Sequence, residues 1–274
     1  MTAPLLTDTA ALARNRARAA RDPALFLHEM TADDVQDRLI EVNRTFTDPA
    51  VVTPFAQVWH GRLPGARIVP DADVLDLTPG AHDLVIHALA LHWANDPVGQ
   101  IIQCARALRA DGLFIGVLFG GQTLAELRAS LAQAEAEVSG GLSPRVVPMG
   151  EIRDLGGLLQ RGGLALPVAD SQVQRVSYRD AFHLMRDLRA MGEANALAAR
   201  LRRFTARGVL GQAAALYAAH YPDAEGRVRA TFETVFLTGW KPHDSQQKPL
   251  RPGSAAARLA DVLNTAEGKL PQGD

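Results

Sequence analysis

The sequence predicts an α/β fold with a mostly parallel sheet and helices on both faces. Residues Asp83–Leu91 form a nearly continuous apolar run, which is typical of a strand buried on both faces, although periodicity alone leaves a buried helix open. Residues 97–108 then place apolar side chains at helical spacing and stop at the turn Asp111-Gly112. Residues 113–119 are again short and continuously apolar. Strand, helix and strand make a βαβ unit, whose crossover should be right-handed.

Two helices are expected before the sheet, within residues 10–44. The first is rich in alanine and ends near Arg21. The second starts at Thr31, where Thr31 and Asp34 supply an N-cap and an acidic first turn. Short extended segments follow at Val51-Val52, which is broken by Pro54, and at residues 66–69, which Pro70 ends.

After residue 119 the chain alternates turns, helices and strands. Gly120-Gly121 ends the strand, and Thr123 with Glu126 has the spacing of a capping box that opens a helix through about Val138. A loop at Gly140–Pro144 comes next. The remaining predicted elements are a helix at 149–160, strands at 164–168 and 172–178 joined by a turn at Asp170-Ser171, helices at 180–191, 197–204 and 207–220, and a closing strand at 231–240.

Composition predicts an ordinary soluble protein and identifies no partner by itself. The chain has 274 residues, is 47% hydrophobic and carries a formal net charge of −1, so no global field draws it to nucleic acid or an anionic membrane. Its single cysteine, Cys104, excludes an internal disulfide and a zinc-finger ligand set. We expect a cytoplasmic protein without a transmembrane helix. Its predicted parts are a helical lead-in over residues 1–45, one domain over 46–241 with a helical insertion at about 180–220, and a tail over 242–274.

Four arginines lie between residues 11 and 21. They are interpreted as the solvated face of the leading helix. A transit-like basic segment, or a surface for an acidic partner, remains the alternative.

Ordered motifs begin in the predicted βαβ unit and continue almost to the end of the chain. They are His82-Asp-Leu-Val, Leu89-Ala-Leu-His-Trp-Ala-Asn-Asp96, Asp111-Gly-Leu-Phe-Ile-Gly116, Phe119-Gly-Gly-Gln-Thr-Leu-Ala-Glu-Leu-Arg128, Gly140-Gly-x-Ser-Pro144, Asp154-Leu-Gly-x-Leu-Leu-x-Arg161-x-Gly163, Met185-x-Asp-Leu-x-x-Met-Gly-Glu-x-Asn195 and Gly239-Trp-Lys-x-His-x-Ser-Gln246. Together they resemble the methyltransferase-like assembly factors of respiratory complex I, a branch of the class I S-adenosylmethionine (AdoMet) methyltransferases. More distantly they are similar to the malonyl-carrier-protein methyltransferases of biotin synthesis.

This resemblance implies a seven-stranded, Rossmann-like sheet, AdoMet as the cofactor and a protein substrate that belongs to complex I. The mitochondrial members are associated with hydroxylating an arginine of an iron–sulfur subunit. Fold alone carries no function, so the site residues decide between activities.

The first half of the implied fold is truncated. In the family, the first strand ends in a glycine loop whose backbone approaches the cofactor. Here residues 51–65 contain no Gly-x-Gly, and the region is about twenty residues shorter, too short for a strand–helix–strand unit. We expect Pro54, Phe55 and Trp59 to fill the space that glycines leave empty, and no acid for the cofactor's ribose is evident.

The cofactor side of the site is predicted from the resemblance. Asp71 and Ala72 match the family residues that face the adenine, and the cofactor would also lie against His87 and Ala88. The alternative is that Asp71 is a surface residue of a turn.

Candidates for catalysis and for substrate contact follow the fourth strand of the implied sheet and lie in the C-terminal half. His92 is the candidate general base, with Trp93 beside it, because open sheets bind ligands at the carboxyl ends of strands. The alternative is that both side chains pack and hydrogen-bond as structural caps of the strand. Candidate substrate or partner contacts are Gly121, Thr123, Glu193, Asn195, Trp240 and His243, with turn formation and surface capping as the alternatives. No metal set is recognisable, and Cys104 is expected to be buried and inert.

Three functions remain open from the sequence. The first is AdoMet-dependent group transfer to, or arginine modification of, a protein substrate in complex I assembly. The second is a catalytically inactive relative that acts as a binding or assembly chaperone. The third is a small-molecule methyltransferase, which a deep apolar pocket beside His92 and Trp93 would favour.

Overall fold

The computed structural model describes residues 5–247 of the chain. The α-helices are α1 (Thr9–Ala19), α2 (Phe26–Val42), α3 (Pro97–Ala107), α4 (Ala125–Ser139), α5 (Ile152–Arg161), α6 (Ala181–Ala190) and α7 (Arg207–His220), and the strands are β1 (Pro49–Val52), β2 (Arg67–Val69), β3 (His82–Ala88), β4 (Leu108–Gly120), β5 (Ala165–Tyr178) and β6 (Val228–Trp240). The chain divides into two compact units, Met1–Pro242 and His243–Asp274, and these elements all belong to the first. Each helix in the described range is too short or too polar to span a bilayer.

One mixed sheet has the strand order β2-β1-β3-β4-β6-β5. Strands β2, β1, β3 and β4 pair in parallel, and β6 runs antiparallel to both of its neighbours. The predicted mostly parallel sheet is therefore confirmed. The described residues contain six strands where the resemblance implied seven. Between β1 and β2 there is only the short 3-10 helix Ala56–Val58, so the truncation has removed a crossover α-helix.

Alternating side chains of β3 and β4 bury two separate cores. Leu84 and Ile86 pack on one face with α2, α4, α6 and α7, whereas Val85 and Phe114 pack on the other with α3 and α5. Burying each such side chain contributes roughly 1.5–3 kcal/mol to stability. Because both faces of these strands are buried, their sequences are continuous apolar runs. The predicted helices on both faces are confirmed.

The second helix starts earlier than predicted. Its first residue is Phe26, and Thr31 is buried inside it, so Thr31 is not the N-cap. Leu27, Thr31 and Val35 share one buried face at helical spacing, and burial of that face outweighs the local capping preference of Thr31.

The predicted capping box is wrong. The Thr123 hydroxyl accepts a hydrogen bond from Glu233 N (2.8 Å) and donates to Glu233 O (3.1 Å). Glu126 Oε1 accepts from the Thr231 hydroxyl at 2.5 Å. Both side chains therefore fasten α4 to β6, and the helix begins without a side-chain cap.

Three other local predictions fail because longer-range pairing decides the conformation. The predicted turn Asp111-Gly112 between helix and strand lies inside β4, which already begins at Leu108, and Asp111 has a φ of 61° there. Residues Asp170-Ser171 do not turn, since β5 pairs with β6 continuously from Val168 to Tyr178. Residues 197–204 form no helix; Leu197 bridges to Thr7 and Arg200 pairs with Asp8 instead.

Candidate functional site

The candidate site lies where the carboxyl ends of β1, β3 and β4 meet. After β3, Leu89 adopts a left-handed conformation (φ 47°), and the 3-10 helix Leu91–Trp93 carries His92 and Trp93 over the sheet edge. Both side chains are buried. The His92 ring centroid lies 5.1 Å from that of Phe119 in β4. The edge is the one where open parallel sheets bind ligands, and the catalytic role of these residues stays a prediction.

Glu193 connects the two side chains. Gly192 turns the chain after α6 with a φ of 80°. Glu193 Oε2 then accepts a hydrogen bond from Trp93 Nε1 at 2.7 Å and another from His92 Nε2 at 3.1 Å. Burial alone would raise the pKa of Glu193, but the attraction of His92 and Arg16 and these hydrogen bonds outweigh it and lower the pKa. Glu193 is thus a buried carboxylate that orients an imidazole and an indole.

A mainly apolar cavity of about 190 Å³ opens beside Trp93 and Glu193. Aromatic rings of Phe119 and Phe232 and aliphatic side chains from α4, α6 and α7 form most of its wall. Polar side chains are few, and they are Thr123, Arg145, Glu193 and Asn195. The cavity therefore combines an apolar lining with one buried carboxylate.

The segment at residues 140–151 forms one wall of the cavity and is held by Glu135 of α4. Glu135 accepts hydrogen bonds from Arg145 Nη2 (2.6 Å) and from the Ser143 hydroxyl (2.8 Å). The Arg145 guanidinium and the Ser143 contacts lower the pKa of Glu135 to about 2. Arg145 Nη1 also donates to the Thr205 hydroxyl at 2.9 Å. These contacts tie the wall to α4 and to the loop before α7.

Other predicted contact residues have structural hydrogen bonds. Asn195 lines the cavity, but its Nδ2 donates to Pro144 O (2.8 Å) and its Oδ1 accepts from Leu197 N (3.0 Å). The hydroxyl of Thr123 is engaged by β6, as described above. Gly121 has a φ of 48°, a left-handed conformation that favours glycine, and a Cβ there would displace the Glu233 carboxylate, which accepts a hydrogen bond from Gln122 N at 2.9 Å.

Trp240 does not line the cavity, and His243 lies in the other compact unit. Trp240 pairs with Leu113 at the amino end of β4, the opposite edge of the sheet from the site. His243 belongs to the second compact unit, where its Nδ1 lies 2.7 Å from the Ser245 hydroxyl.

The turn after β1 is filled by side chains. Phe55, Val58 and Trp59 are buried in the main core. The amide of Phe55 donates to the Thr53 hydroxyl at 3.2 Å, those of Val58 and Trp59 donate to carbonyls of the same turn, and Pro54 has no amide hydrogen. These amides are therefore engaged or absent where the resemblance implied a glycine loop.

Arg16 of α1 reaches the same region. Its Nη1 lies 2.5 Å from Asp71 Oδ2, and both side chains are mostly buried, with 15% and 11% exposure. The interpretation of Asp71 as a surface turn residue is wrong. Its carboxylate compensates a guanidinium, and Arg16 Cγ lies close to Gly192, which also faces the Phe55 ring.

The other predicted cofactor contacts lie in the interior. Ala88 is buried, and His87 Nε2 lies 3.2 Å from Gln100 Oε1. Gln100 Nε2 in turn donates to Ala72 O at 2.8 Å. Burial lowers the pKa of His87, and likewise that of His28, to about 4. Both imidazoles are neutral near pH 7, and His87 is too weak a base for proton abstraction there.

An open groove of about 440 Å³ runs between α1 and the ends of β1 and β2, and Arg16, Asp71 and Ala72 are in its wall. It leaves space beside the two residues that the resemblance assigns to the adenine. However, residues 53–59, directly after β1, contain no glycine, and the amides of Phe55, Val58 and Trp59 are engaged. The residues of this region therefore do not form the AdoMet cradle that the resemblance implies.

The described part of the chain contains no group of three His, Cys, Asp or Glu side chains placed to hold a metal ion. Cys104 is buried in α3, and burial raises the pKa of its thiol. It is a core side chain.

Sequence reasoning missed Arg16, Glu135 and Arg145. Arg16 was part of the basic pattern of α1, but nothing in that pattern distinguishes the one arginine that pairs with Asp71. Glu135 and Arg145 are ten positions apart, a separation that no helix or strand periodicity indicates. The contact between the two side chains is visible only in three dimensions.

No family model matches the sequence. The arginine-hydroxylase NDUFAF5, mitochondrial, of Danio rerio is 40% identical over 200 residues, which cover 73% of this chain and 62% of that protein. The malonyl-[acyl-carrier protein] O-methyltransferase of Laribacter hongkongensis is 35% identical over 188 residues, which cover 69% of this chain and 61% of that protein. The chain spans less than two thirds of the length of either relative.

Among solved structures, the 1,6-didemethyltoxoflavin-N1-methyltransferase of Burkholderia thailandensis is 13% identical, with a TM-score of 0.43 over 89% of this chain and 94% of that chain. We draw nothing about function from a similarity this low.

Proposed function

We propose that this chain, which belongs to the class I methyltransferase-like proteins and is a homologue of the arginine-hydroxylases and carrier-protein methyltransferases described above, is a binding protein. It holds an arginine side chain of a protein partner in the cavity beside Glu193 and carries out no AdoMet-dependent turnover. The partner is a subunit of respiratory complex I, bound in the cytoplasm during assembly.

The filled turn after β1 is the observation that carries this proposal. A nucleoside cofactor in such a sheet is held by close backbone and unengaged amides. Here the Phe55 and Trp59 side chains are buried at that place, and Arg16 with Asp71 adds a compensated ion pair. The turn that would hold a nucleoside cofactor is therefore filled by side chains, while the cavity beside Glu193 is open.

The cavity suits an arginine side chain for three reasons. An ionised carboxylate is the preferred partner of a guanidinium, and Glu193 is held in the ionised form. The rings of Trp93 and Phe119 line the cavity and favour a planar cation. The Arg145 charge is already compensated by Glu135, so it opposes a second guanidinium only weakly.

Two ligands test the proposal: an arginine peptide in titration calorimetry, and AdoMet in a thermal-shift assay. A short peptide with one central arginine should bind, and Glu193→Gln should weaken it at least tenfold by removing the charge. Glu41→Gln, a change at an exposed carboxylate of α2, is the matched control and should have no effect. AdoMet at millimolar concentration should give no thermal shift, whereas saturation at 100 times a dissociation constant would stabilise the fold by about 2.7 kcal/mol. A shift of that size, or arginine binding unchanged by Glu193→Gln, would refute the proposal.

AdoMet-dependent modification of a protein arginine is the second candidate. It is favoured by the open groove beside Asp71 and Ala72 and by nearby buried nitrogens, Arg16 Nη2 and His87 Nδ1, that have no hydrogen-bond partner among the described residues. If AdoMet binds there, Asp71→Ala should abolish the binding. A thermal shift that survives this substitution would remove the groove from consideration.

A small-molecule methyltransferase is favoured by the apolar cavity beside Trp93. Its volume of about 190 Å³ is small, however, compared with the roughly 300–1,000 Å³ of typical ligand pockets. A single side chain fills such a space better than a complete small substrate does.

A further inference from the structure

Strand β5 forms one edge of the sheet. It is the last strand in the strand order, and within residues 5–247 its one strand partner is β6. Such an edge presents a row of backbone N–H and C=O groups that another extended segment can pair with. Apart from the pairing with β6, residues 171–176 make no backbone hydrogen bond with the described part of the chain. This stretch of the edge is therefore available to a strand from another molecule.

The amino end of the same edge is protected against pairing. Leu166 has a φ of 49° and precedes Pro167, which has no amide hydrogen. Proline and local irregularity are devices by which natural edge strands avoid added strands. From Val168 onward the pairing with β6 is regular, and residues 171–177 contain no proline, no glycine and a single charge. The unprotected part of the edge is therefore the second half of β5.

A basic surface lies beside this unprotected half. Val173 and Arg175 of β5 and Arg229 of β6 line an open cavity of about 510 Å³. Both arginines are exposed, and neither guanidinium has an ion pair within residues 5–247. Glu126 is also in the wall, but its Oε1 accepts a hydrogen bond from the Thr231 hydroxyl at 2.5 Å. The surface therefore offers two guanidinium groups without a carboxylate partner, next to a half-exposed valine.

We propose that β5 pairs with an extended, acidic segment of another protein, which adds a strand to the sheet. Side chains of an added strand alternate between the two faces of the sheet, so every second one meets the surface of Arg175 and Arg229. Carboxylates at two such positions pair with the guanidinium groups, and an apolar side chain lies on Val173. This inference does not depend on the proposed arginine binding in the cavity beside Glu193.

A second copy of this chain fits the edge less well than an acidic strand does. Asp170 is the acidic residue of β5, and its Oδ1 lies 2.5 Å from Arg38 Nη2. Because side chains alternate along a strand, Asp170 and Arg175 lie on opposite faces of the sheet. Directly opposed residues of an antiparallel pair share one face, so Asp170 of a second copy would not meet Arg175. Charge therefore favours a foreign strand.

Titration calorimetry of the full chain with three matched peptides tests the proposal. The probe is a ten-residue peptide with threonine at every second position and valine or glutamate between them, two of these being glutamate. It should bind and slow hydrogen exchange at residues 171–176. Replacing both glutamates by glutamine should weaken binding about tenfold through loss of the ion pairs. Methylation of the peptide's amide nitrogens should abolish binding, because the peptide can then donate no hydrogen bond to β5.

Variants of the chain locate the site. Val173→Glu should abolish binding, because its carboxylate engages the arginines and repels the glutamates. Val168→Glu is the matched control, an equally exposed valine at the protected end of the same strand, and should leave binding nearly unchanged. Arg175→Gln with Arg229→Gln should weaken the glutamate peptide about tenfold and leave the glutamine peptide unaffected.

Several results would overturn the proposal. They are absence of binding by the glutamate peptide, binding that survives amide methylation, equal affinities of the glutamate and glutamine peptides, and equal losses in Val173→Glu and Val168→Glu. Sedimentation equilibrium of the chain alone gives an independent check. A dimer that Val173→Glu dissociates would assign the edge to a second copy and would also overturn the proposal, whereas a monomer is the expected result.

Discussion

The Arg16 guanidinium lies 2.5 Å from the Asp71 carboxylate, and this ion pair joins the first helix to the end of β2. It occupies the position that the resemblance assigns to the adenine side of a cofactor. A residue interpreted from sequence as a ligand contact is thus part of the contact between α1 and the sheet. The same pair makes the role of Asp71 measurable through stability.

Asp71→Asn should destabilise the fold by about 1–3 kcal/mol, because it leaves the mostly buried Arg16 charge without its partner. Urea denaturation at neutral pH measures the change. Asp76→Asn is the control, since its pair with Arg67 is exposed and should contribute about 1 kcal/mol or less. Equal effects of the two substitutions would contradict a structural role for the Arg16–Asp71 pair.

The sheet and its packing were predictable because their signals are local. Residues 83–91 and 113–119 are apolar without interruption, and each of these strands contributes to both cores. The helix at 207–220 was also predicted correctly from its periodicity. Apolar spacing of this kind involves residues that are close together in the chain, so it is visible in the sequence.

Errors arose where a distant strand supplied the partner. Thr123 and Glu126 have capping-box spacing, yet they bond to Glu233 and Thr231 more than a hundred positions away. Asp170-Ser171 likewise has local turn propensity, yet both residues pair with β6 in a continuous strand.

The centre of the candidate site was only partly predictable for the same reason. His92, Trp93 and Glu193 were each singled out, but their contact was not, because the indole and the carboxylate are 100 positions apart. The filled turn after β1 was expected from the absence of glycines. The pairing of Arg16 with Asp71 in the same region was not expected, because the sequence does not show which of the four arginines between residues 11 and 21 points toward the sheet.

Acidification from pH 6.5 to 4 should destabilise the fold. Burial holds the pKa of both His28 and His87 at about 4, below the ordinary 6.5, so the unfolded chain binds more protons throughout this window. Stability therefore falls as the pH is lowered and the loss is complete below about pH 4. This lowering of the pKa corresponds to a loss of roughly 3 kcal/mol in the free energy of unfolding for each histidine.

Unfolding by urea at pH 7 and pH 5 checks this dependence. His28→Phe keeps an aromatic ring beside Phe55 and should remove about half of the loss. His220→Gln, at an exposed residue of α7, should leave the loss unchanged. An unchanged loss in His28→Phe would show that another group titrates.

Glu135→Gln should loosen the cavity wall at residues 140–151 without unfolding the domain. The carboxylate holds Arg145 and Ser143, and the low pKa of Glu135, about 2, reflects how strongly those contacts favour its charge. A neutral amide keeps the shape but removes the negative charge that compensates Arg145, so local opening becomes more frequent. Hydrogen exchange should therefore accelerate about tenfold in this segment, with little change in β3 and β4. Glu137→Gln, on the same helix but exposed, should not accelerate exchange there, and a uniform acceleration across the sheet would mean that Glu135 stabilises the whole domain instead of one wall.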